Sequence, residues 1–344
     1  MFRRLSRPYL IGAIVVTVAL GAIGFLPLFG GPGYEQALAA GLIVPSAAAI
    51  ATAIDCARRG SPSPLASVTR GVLAGLAYVA LALFTALLHA ARVGICELWG
   101  ALLYFALTAG IGGVLGGVWG AAAGELTGAL VARGRVRRVR LVATLLALAA
   151  PVSGVVASLY RFYSSPMIFA FDPFVGYFSG TLYDTVIDAG TSLLTYRLGS
   201  LATLTSAALF GSVLCRDDER PFGLVLDLRT SGTRARAALG LIAMTASVGL
   251  ALAGASLGHF STTESIASDL GAEKHGERCD VVYPSTTREQ EANLLLKDCE
   301  EQVRGVEARL GAKGPERIRA FFFRDDGDKK RLMGAAHTYI AKPW

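Results

Sequence analysis

Seven apolar stretches, each about 20 residues long, dominate the first three quarters of the chain. A helix of that length crosses the roughly 30 Å of hydrocarbon in a lipid bilayer. The charged fraction of 17% is also well below the quarter or so that is usual in soluble proteins. We therefore predict an all-α polytopic membrane protein with about seven transmembrane helices. The predicted spans are residues 8–28, 34–54, 71–91, 99–120 with a continuation to 130, 141–160, 198–215 and 237–257.

The distribution of basic residues predicts how these helices are oriented. Lys and Arg in short loops stay on the cytoplasmic side of a membrane. If the N-terminus is cytoplasmic, the inner segments hold 16 basic residues and the outer loops hold three, Arg92, Arg161 and Arg197. The first apolar run is too long for a secretory signal, so we predict a retained helix and an extracytoplasmic C-terminal region. The inner segments are 1–7, 55–70, 131–140 and 216–236.

The basic run RGRVRRVR, residues 133–140, has two interpretations. Such runs bind nucleic acid in some proteins, but between two apolar spans they more often touch anionic lipid and fix topology. We favour the second interpretation. The predicted partner is the lipid bilayer and not nucleic acid, and the sequence predicts no particular protein partner.

The charged residues divide the chain into regions of different character. Residues 1–257 form the predicted transmembrane domain, and residues 258–277 read as a polar linker. Residues 278–344 have the pattern of a small α+β domain: a strand at 278–285, a helix at 286–314, a strand at 317–325 and a helix at 326–336. Two strands and two helices bury little apolar surface, so we expect this domain to be incomplete.

Two cysteines of this C-terminal region, Cys279 and Cys299, are candidates for a disulfide. Disulfides form in oxidising compartments, which is where the predicted topology puts them. Two free core thiols are the alternative. A zinc site at these thiols is not favoured, because only His275 is near in sequence and no C-x-x-C spacing occurs.

Polar residues in or near the apolar stretches are candidates for a membrane site. Asp184 and Asp188 are four residues apart and would share a helix face. They would form a proton or cation site if the helix were in the membrane. An amphipathic helix over residues 176–200, lying on the outer surface, is the interpretation that we favour. His89 and Glu125 lie near predicted helix ends, where we expect structural roles.

The fourth span contains glycines at intervals of four residues. Such glycines form one stripe along a helix, and the missing side chains let neighbouring membrane helices approach closely. We predict a helix-packing face, with a substrate-lining surface as the alternative. The stripe consists of Gly112, Gly116, Gly120, Gly124 and Gly128.

Several segments carry a family resemblance. They are FDPFVGYFSGTLYDTVID (171–188), CDVVYPS (279–285), KDCEEQ (297–302) and FFFRDDGDKKRLMGAAHTYIAKPW (321–344). Together they resemble the front part of bacterial inner-membrane proteins in which N-terminal spans precede an extracytoplasmic peptidase domain of the gluzincin, or peptidase MA-like, class. The resemblance implies a strand, helix, strand, helix order before a zinc helix that bears H-E-x-x-H. In that motif two His bind the metal and the Glu activates its water.

The chain departs from that family at the catalytic motif. None of its four histidines, His89, His259, His275 and His337, begins an H-E-x-x-H sequence. We therefore expect a sequence truncated before the zinc helix, with zinc bound only if the downstream region is present. No catalytic, cofactor-binding or metal-binding residue is predicted in this chain. In particular, His337 is not predicted to bind a metal.

Three functional hypotheses follow from the sequence. The first is the membrane-anchoring front half of a zinc-metallopeptidase-like protein without catalytic competence. The second is a transporter or permease-like bundle, in which Asp184 and Asp188 would matter. The third is an envelope sensor or scaffold whose outer domain binds a partner. The sequence contains no G-x-S-x-G elbow, P-loop or dinucleotide fingerprint that would indicate another enzyme class.

Overall fold

The computed structural model describes residues 6–95, 97–179, 190–216, 224–334 and 336–337. The chain forms two compact units. The helical unit comprises Met1–Tyr160, Ala170–Phe178 and Val186–His259, and the α+β unit comprises Arg161–Phe169, Ser179–Thr185 and Phe260–Trp344.

The helical unit is built from long apolar helices. They are α1 (Arg7–Ile23), α2 (Tyr34–Arg59), α3 (Pro64–Val93), α4 (Leu98–Phe105), a π-helical turn (Ala106–Gly110), α5 (Ile111–Ala132), α6 (Val139–Ser164), α7 (Thr191–Val213) and α8 (Ser231–Leu252). Among the described residues, five helices are long and apolar enough to cross a membrane: α2, α3, the continuous run from α4 to α5, α6 and α8. Helix α1 is apolar but has only 17 residues. Helix α7 has 23 residues and is rich in serine and threonine.

Short strands join some of these helices. A hairpin of β1 (Phe169–Asp172) and β2 (Gly176–Ser179) follows α6, and β3 (Leu214–Arg216) pairs antiparallel with β4 (Leu224–Leu226) between α7 and α8. The helix predicted over residues 176–200 is therefore wrong at 176–179, where the backbone is extended. Residues 191–200 belong to α7 itself, which begins at Thr191 and continues without interruption into the predicted span.

Helix α5 packs closely against its neighbours through glycine residues. A Cβ at Gly116 would overlap the carbonyl oxygen of Pro45, and one at Gly120 would overlap that of Ala49, so these glycines let α5 touch the backbone of α2. Gly124 meets α2 in the same way, whereas Gly112 faces the carbonyl of Phe174 in the β1–β2 turn. The predicted stripe thus lies at contacts with backbone atoms. Its last member, Gly128, is open, with its nearest neighbour 4.0 Å from a Cβ position.

A second glycine face of α5 packs on α3. Cβ atoms at Gly113 and Gly117 would overlap side-chain or backbone atoms of α3, and Gly71 and Gly75 of α3 face them with the same lack of side chains. Because both faces lack side chains, α5 lies close to two helices at once.

The outer helices expose apolar side chains. Leu10, Ile11 and Ile14 of α1 are each about half exposed or more, and α8 has only 6% of its most apolar window buried inside the protein. An exposed apolar area of this extent needs an apolar surrounding. The helical unit therefore belongs in a membrane environment.

The α+β unit contains a three-stranded sheet with helices on both faces. Its elements are α9 (Thr263–Leu270), β5 (Gly271–His275), β6 (Cys279–Pro284), α10 (Glu289–Leu310), β7 (Ile318–Phe321) and α11 (Asp326–Met333). Strand β6 is central: it pairs antiparallel with β5 and parallel with β7. Val282 packs with α9 and α11 on one face, and Val281 packs with α10 on the other.

The linker predicted at residues 258–277 is wrong. Residues 263–275 supply α9 and the edge strand β5, which together cover one face and one edge of the sheet. The sequence of β5, GAEKH, gives no pattern typical of a strand. An edge strand pairs through its backbone, so its side chains can remain polar. Helix α9 packs beside α11, a helix that the sequence predicted, and the two together cover the face of the sheet opposite α10.

Candidate functional site

The two ends of the helical unit carry different groups of charged side chains. At one end, Arg216 after α7 binds both carboxylate oxygens of Glu125 on α5, with Nη2–O distances of 2.9 and 2.8 Å. Arg70 on α3 and Arg59 on α2 approach the carboxylate of Asp55 at 3.7 and 3.3 Å. Two of the segments predicted to face the cytoplasm, 55–70 and 216–236, therefore meet here, and we call this the arginine end.

The opposite end joins the last turns of α1 and α3. His89 Nε2 lies 3.0 Å from the carbonyl oxygen of Gly21, and Arg92 donates to the carbonyl oxygen of Gly24 at 2.8 Å. These contacts satisfy helix-terminal carbonyl groups that would otherwise lack a donor. The structural role expected for His89 agrees with this geometry. Glu125 likewise binds side chains of neighbouring segments, as its contacts with Arg216 and Ser67 show.

The opposite end also holds a buried arginine, Arg197, in the second turn of α7. Its side chain is among the largest that are fully buried, at 1% exposure. Nη1 donates to the carbonyl oxygen of Pro173 at 2.7 Å, and Nη2 donates to that of Thr108 at 3.0 Å. The Nε atom has no hydrogen-bond partner among the described residues. Burying a guanidinium group costs several kcal/mol unless acceptors surround it, so these carbonyls are essential to the site.

Asp172 is the acidic residue of this region. Its side chain is completely buried. Oδ1 accepts hydrogen bonds from the backbone N–H groups of Phe174 and Val175 at 2.8 and 2.7 Å, and Ser158 Oγ lies 3.3 Å from Oδ2. Burial raises the pKa of the Asp172 carboxyl above its ordinary value, and the backbone hydrogen bonds and the positive charge of Arg197 offset only part of that rise. The Asp172 side chain thus holds the β1–β2 turn in place, and the Pro173 carbonyl oxygen of this turn accepts the hydrogen bond from Arg197.

The π-helical turn provides the other acceptor for Arg197. Thr108 lies within this turn, and its hydroxyl donates to the carbonyl oxygen of Tyr104 at 2.7 Å. π-Helical turns are rare and occur frequently at functional sites. Here the turn lies where α4 continues into α5, and its Thr108 carbonyl accepts a hydrogen bond from α7.

A cavity of about 420 Å³ adjoins this polar cluster. It lies between α5, α7 and α8, and most of its lining is apolar, including Trp119 and Leu250. Its polar groups are few, notably Thr203 and Ser247, whose hydroxyl oxygens are 2.7 Å apart. A mainly apolar lining with a few hydrogen-bonding groups is typical of small-molecule sites.

His259, which follows α8, lines this cavity and is buried. Its Nε2 is 2.9 Å from Thr195 Oγ1, and its ring packs against those of Phe171 and Tyr196, with centroids 5.5 and 5.3 Å away. Burial lowers the pKa of the His259 imidazole, which favours the neutral ring at pH 7.

The lining of the cavity combines an apolar surface with a few hydrogen-bonding groups. Among the described residues that line it, none is a carboxylate, a thiol or an amine, and the hydroxyl groups have no base held by a third group. An apolar molecule with one hydrogen-bonding group fits this lining.

The other candidate residues from the sequence lie away from this cluster. Cys279 and Cys299 form a disulfide between β6 and α10, with sulfur atoms 1.99 Å apart and Cα atoms 6.2 Å apart. Asp184 and Asp188 lie outside the described residues, so the membrane site proposed for them stays a prediction.

The remaining histidines have carboxylate neighbours. His275 Nδ1 is 2.8 Å from Asp280, and His337 Nδ1 is 3.3 Å from Asp326. Within the described ranges, three or more His, Cys, Asp or Glu side chains nowhere gather as a metal site would require. Dependence of zinc binding on a downstream region stays a prediction.

Sequence reasoning missed the Arg197–Asp172 cluster. The sequence analysis assigned Arg197 to a loop, because a charged residue lowers the local hydropathy and the predicted span was therefore begun after it, at residue 198. The available signal was the Asp-Pro pair at 172–173, which favours a turn, followed by an arginine between apolar residues of the next helix.

Comparisons with protein families, curated proteins and solved structures identify no relative of this chain. No family model matches the chain, and no curated protein or solved structure is significantly similar to it.

Proposed function

We propose that this chain is an integral protein of the bacterial inner membrane whose helical unit anchors the α+β unit outside the cytoplasm. The observation that carries the proposal is the arginine end. Arg59 and Arg70 come from the predicted inner segment 55–70 and Arg216 comes from the segment 216–236, and they meet at one end of the helical unit. His259, the last residue of that unit, lies with Thr195 at the other end. The positive-inside rule assigns the arginine end to the cytoplasm.

In this proposal α1 and α7 cross the membrane along with the five long apolar helices. Helix α7 has 23 residues, about 34 Å of α-helix. Thr195 contacts His259 near its start, and Arg216 contacts Glu125 just beyond its end. Helix α1 likewise extends from Tyr9, whose carbonyl accepts from Tyr78, to Gly24 at the His89 end. Seven spans and a cytoplasmic N-terminus then follow.

The disulfide supports the same orientation. Cys279 is completely buried in the sheet and bonded to Cys299. A structural disulfide persists in an oxidising compartment and is rare in a bacterial cytoplasm.

Reporter fusions to the full chain test the topology. Alkaline phosphatase fused after Trp344 should be active and green fluorescent protein fused there should be dark. The same reporters inserted after Arg137, in the basic loop at 133–140, should give the reverse pattern. Phosphatase that is inactive after Trp344 but active after Arg137 would overturn the proposal.

A finer form of the proposal is that the α+β unit belongs to the peptidase MA-like class. The order β6, α10, β7, α11 supports it, because the resemblance implies strand, helix, strand, helix before the zinc helix. The test is to read the codons downstream of Trp344 and to measure zinc in the native gene product. An H-E-x-x-H motif with one bound zinc is expected, and a product without either contradicts this form.

The cavity beside α7 favours a second candidate function, the binding of an apolar ligand as in a permease-like bundle. Trp119 lines the cavity and is held by a 3.0 Å hydrogen bond to the carbonyl of Leu146. With Trp99 and Trp344 replaced by Phe, a brominated long-chain alcohol should quench Trp119 fluorescence. Ala207→Phe, which fills the cavity, should reduce the quenching severalfold. Equal quenching in both proteins would exclude the cavity as the binding site.

A further inference from the structure

A second, polar pocket lies at the arginine end of the helical unit. It has a volume of about 820 Å³ and lies where the start of α1, the end of α2 and the start of α3 come together. Its polar lining consists of Ser6, Tyr9, Asp55, Arg59, Ser61, Arg70 and Arg216.

The described charged residues around this pocket carry more positive than negative charge. Arg59 and Arg70 share the single carboxylate of Asp55, which is 5% exposed, and Arg216 pairs with Glu125. Among the residues that the structure describes here, three guanidinium groups therefore face two carboxylates. One positive charge of this set remains after these ion pairs are formed.

Two buried hydroxyl groups in the pocket lack partners. Ser6 is 5% exposed and Ser61 is 9% exposed, and within the described residues neither Oγ atom has a hydrogen-bond partner. Buried hydroxyl groups are nearly always hydrogen-bonded in native proteins, so each such atom calls for a ligand or a water. Ser6 precedes α1 and Ser61 follows α2, so two separate segments direct donors to the same space.

We infer that this pocket binds a phosphate group. Guanidinium groups donate paired hydrogen bonds that match phosphate oxygens, and serine hydroxyls complete the donor set around a tetrahedral anion. The volume exceeds that of phosphate alone and admits the glycerol part of a lipid headgroup. In the proposed orientation the pocket faces the cytoplasmic leaflet, where anionic lipids are enriched. The phosphate therefore comes from an anionic lipid or from free phosphate in solution.

Two binding measurements on the full-length protein distinguish these sources. The first is native mass spectrometry after reconstitution in nanodiscs of phosphatidylglycerol and phosphatidylcholine, which counts the lipids retained. The second is calorimetric titration of the delipidated protein in detergent with inorganic phosphate. Retention of phosphatidylglycerol without phosphate binding identifies a lipid site, and phosphate binding in detergent identifies a site for the free anion.

Three variants test whether the signal comes from this pocket. Arg59→Gln should weaken binding about tenfold, as expected for losing a hydrogen bond to a charged group. Ser61→Ala keeps every charge and should weaken it about threefold. Arg138→Gln removes the same charge from an exposed position in the basic loop at 133–140 and should change binding less than about twofold.

The proposal fails under either of two results. One is a wild-type protein that neither retains phosphatidylglycerol over phosphatidylcholine nor binds phosphate. The other is equal binding by Ser61→Ala, Arg59→Gln and Arg138→Gln, which would assign the signal to surface charge. Ser61→Ala guards against misfolding, because it leaves both ion pairs of Asp55 intact.

Discussion

At the scale of single residues, Arg197 shows how a buried charge is stabilised by backbone atoms distant in sequence. Its acceptors at Pro173 and Thr108 come from a turn and from a π-helical turn, and Ser200 Oγ lies 3.4 Å from Nη1. The hydrogen bonds join α7 to both segments. We therefore expect the side chain to stabilise the fold of the helical unit.

Replacing this arginine tests that expectation. Arg197→Met keeps the length of the side chain but leaves two buried carbonyl groups without a donor, which should cost about 2 to 4 kcal/mol of unfolding free energy. The measurement is the thermal unfolding midpoint of the purified protein in detergent, followed by size-exclusion chromatography. Arg137→Met, at an exposed position, is the control. Equal midpoints for the two variants would show that Arg197 is solvated.

Glu300 makes the stability of the α+β unit depend on pH. Its Oε1 accepts from the backbone N–H groups of Arg278 at 2.8 Å and Cys279 at 3.0 Å, and the bond from Arg278 is the main cause of its lowered pKa. A carboxyl whose pKa is lower in the folded state adds stability above its unfolded pKa of about 4.3. That contribution is lost as the pH falls through the folded pKa.

The disulfide reports on this dependence, because the buried Cys279 must be exposed before it is reduced. We expect the urea concentration needed for reduction by a phosphine to fall between pH 5 and pH 3. In Glu300→Gln the fall should be smaller, since the variant has no carboxylate to protonate. An identical pH dependence in both proteins would mean that another acidic group is responsible.

At the scale of elements, the glycine faces of α5 determine how the helical unit packs. Gly120→Ala should destabilise it by about 1 to 3 kcal/mol, because the new Cβ overlaps the backbone of α2. Gly128→Ala, the same change one stripe position later in open space, should be neutral or stabilise by about 0.5 to 1 kcal/mol. Thermal midpoints of both variants are compared with wild type. A reversed order would show that α5 does not contact α2 through this face.

The same elements show what a linear sequence can and cannot predict. Long apolar runs predict α2, α3 and α8 well, because length and hydropathy are properties of the segment itself. The stripe at Gly112 to Gly124 was also predictable from its spacing. Gly113 and Gly117 are also four residues apart and form the second glycine face of α5, which contacts α3. The sequence analysis did not predict this second face.

Other features depend on partners that the local sequence does not specify. Strand β5 forms because β6 offers its edge, so its polar residues gave no strand signal. Arg197 is buried because acceptors arrive from two other segments, one 89 residues away. The unpartnered hydroxyl of Ser61 is likewise a consequence of three-dimensional packing.

At the scale of the whole molecule, the two units should lose stability separately. The cysteines of the disulfide are separated by 20 residues, and a loop of this size constrains the unfolded chain by about 3 kcal/mol. In Cys279→Ser combined with Cys299→Ser, protease in proteoliposomes should digest the α+β unit at lower urea concentration. The helical unit should keep its thermal midpoint. A parallel loss in the helical unit would show that the two units unfold together.

The two glycine faces of α5 also have a consequence for biosynthesis. The ribosome synthesises α2 and α3 before α5, and the N-terminal parts of a chain generally fold first. Both backbones that α5 fits are therefore already in the bilayer when it emerges. This three-helix assembly can form during translation, while α7 and α8, whose main contacts are with each other, are still to be made.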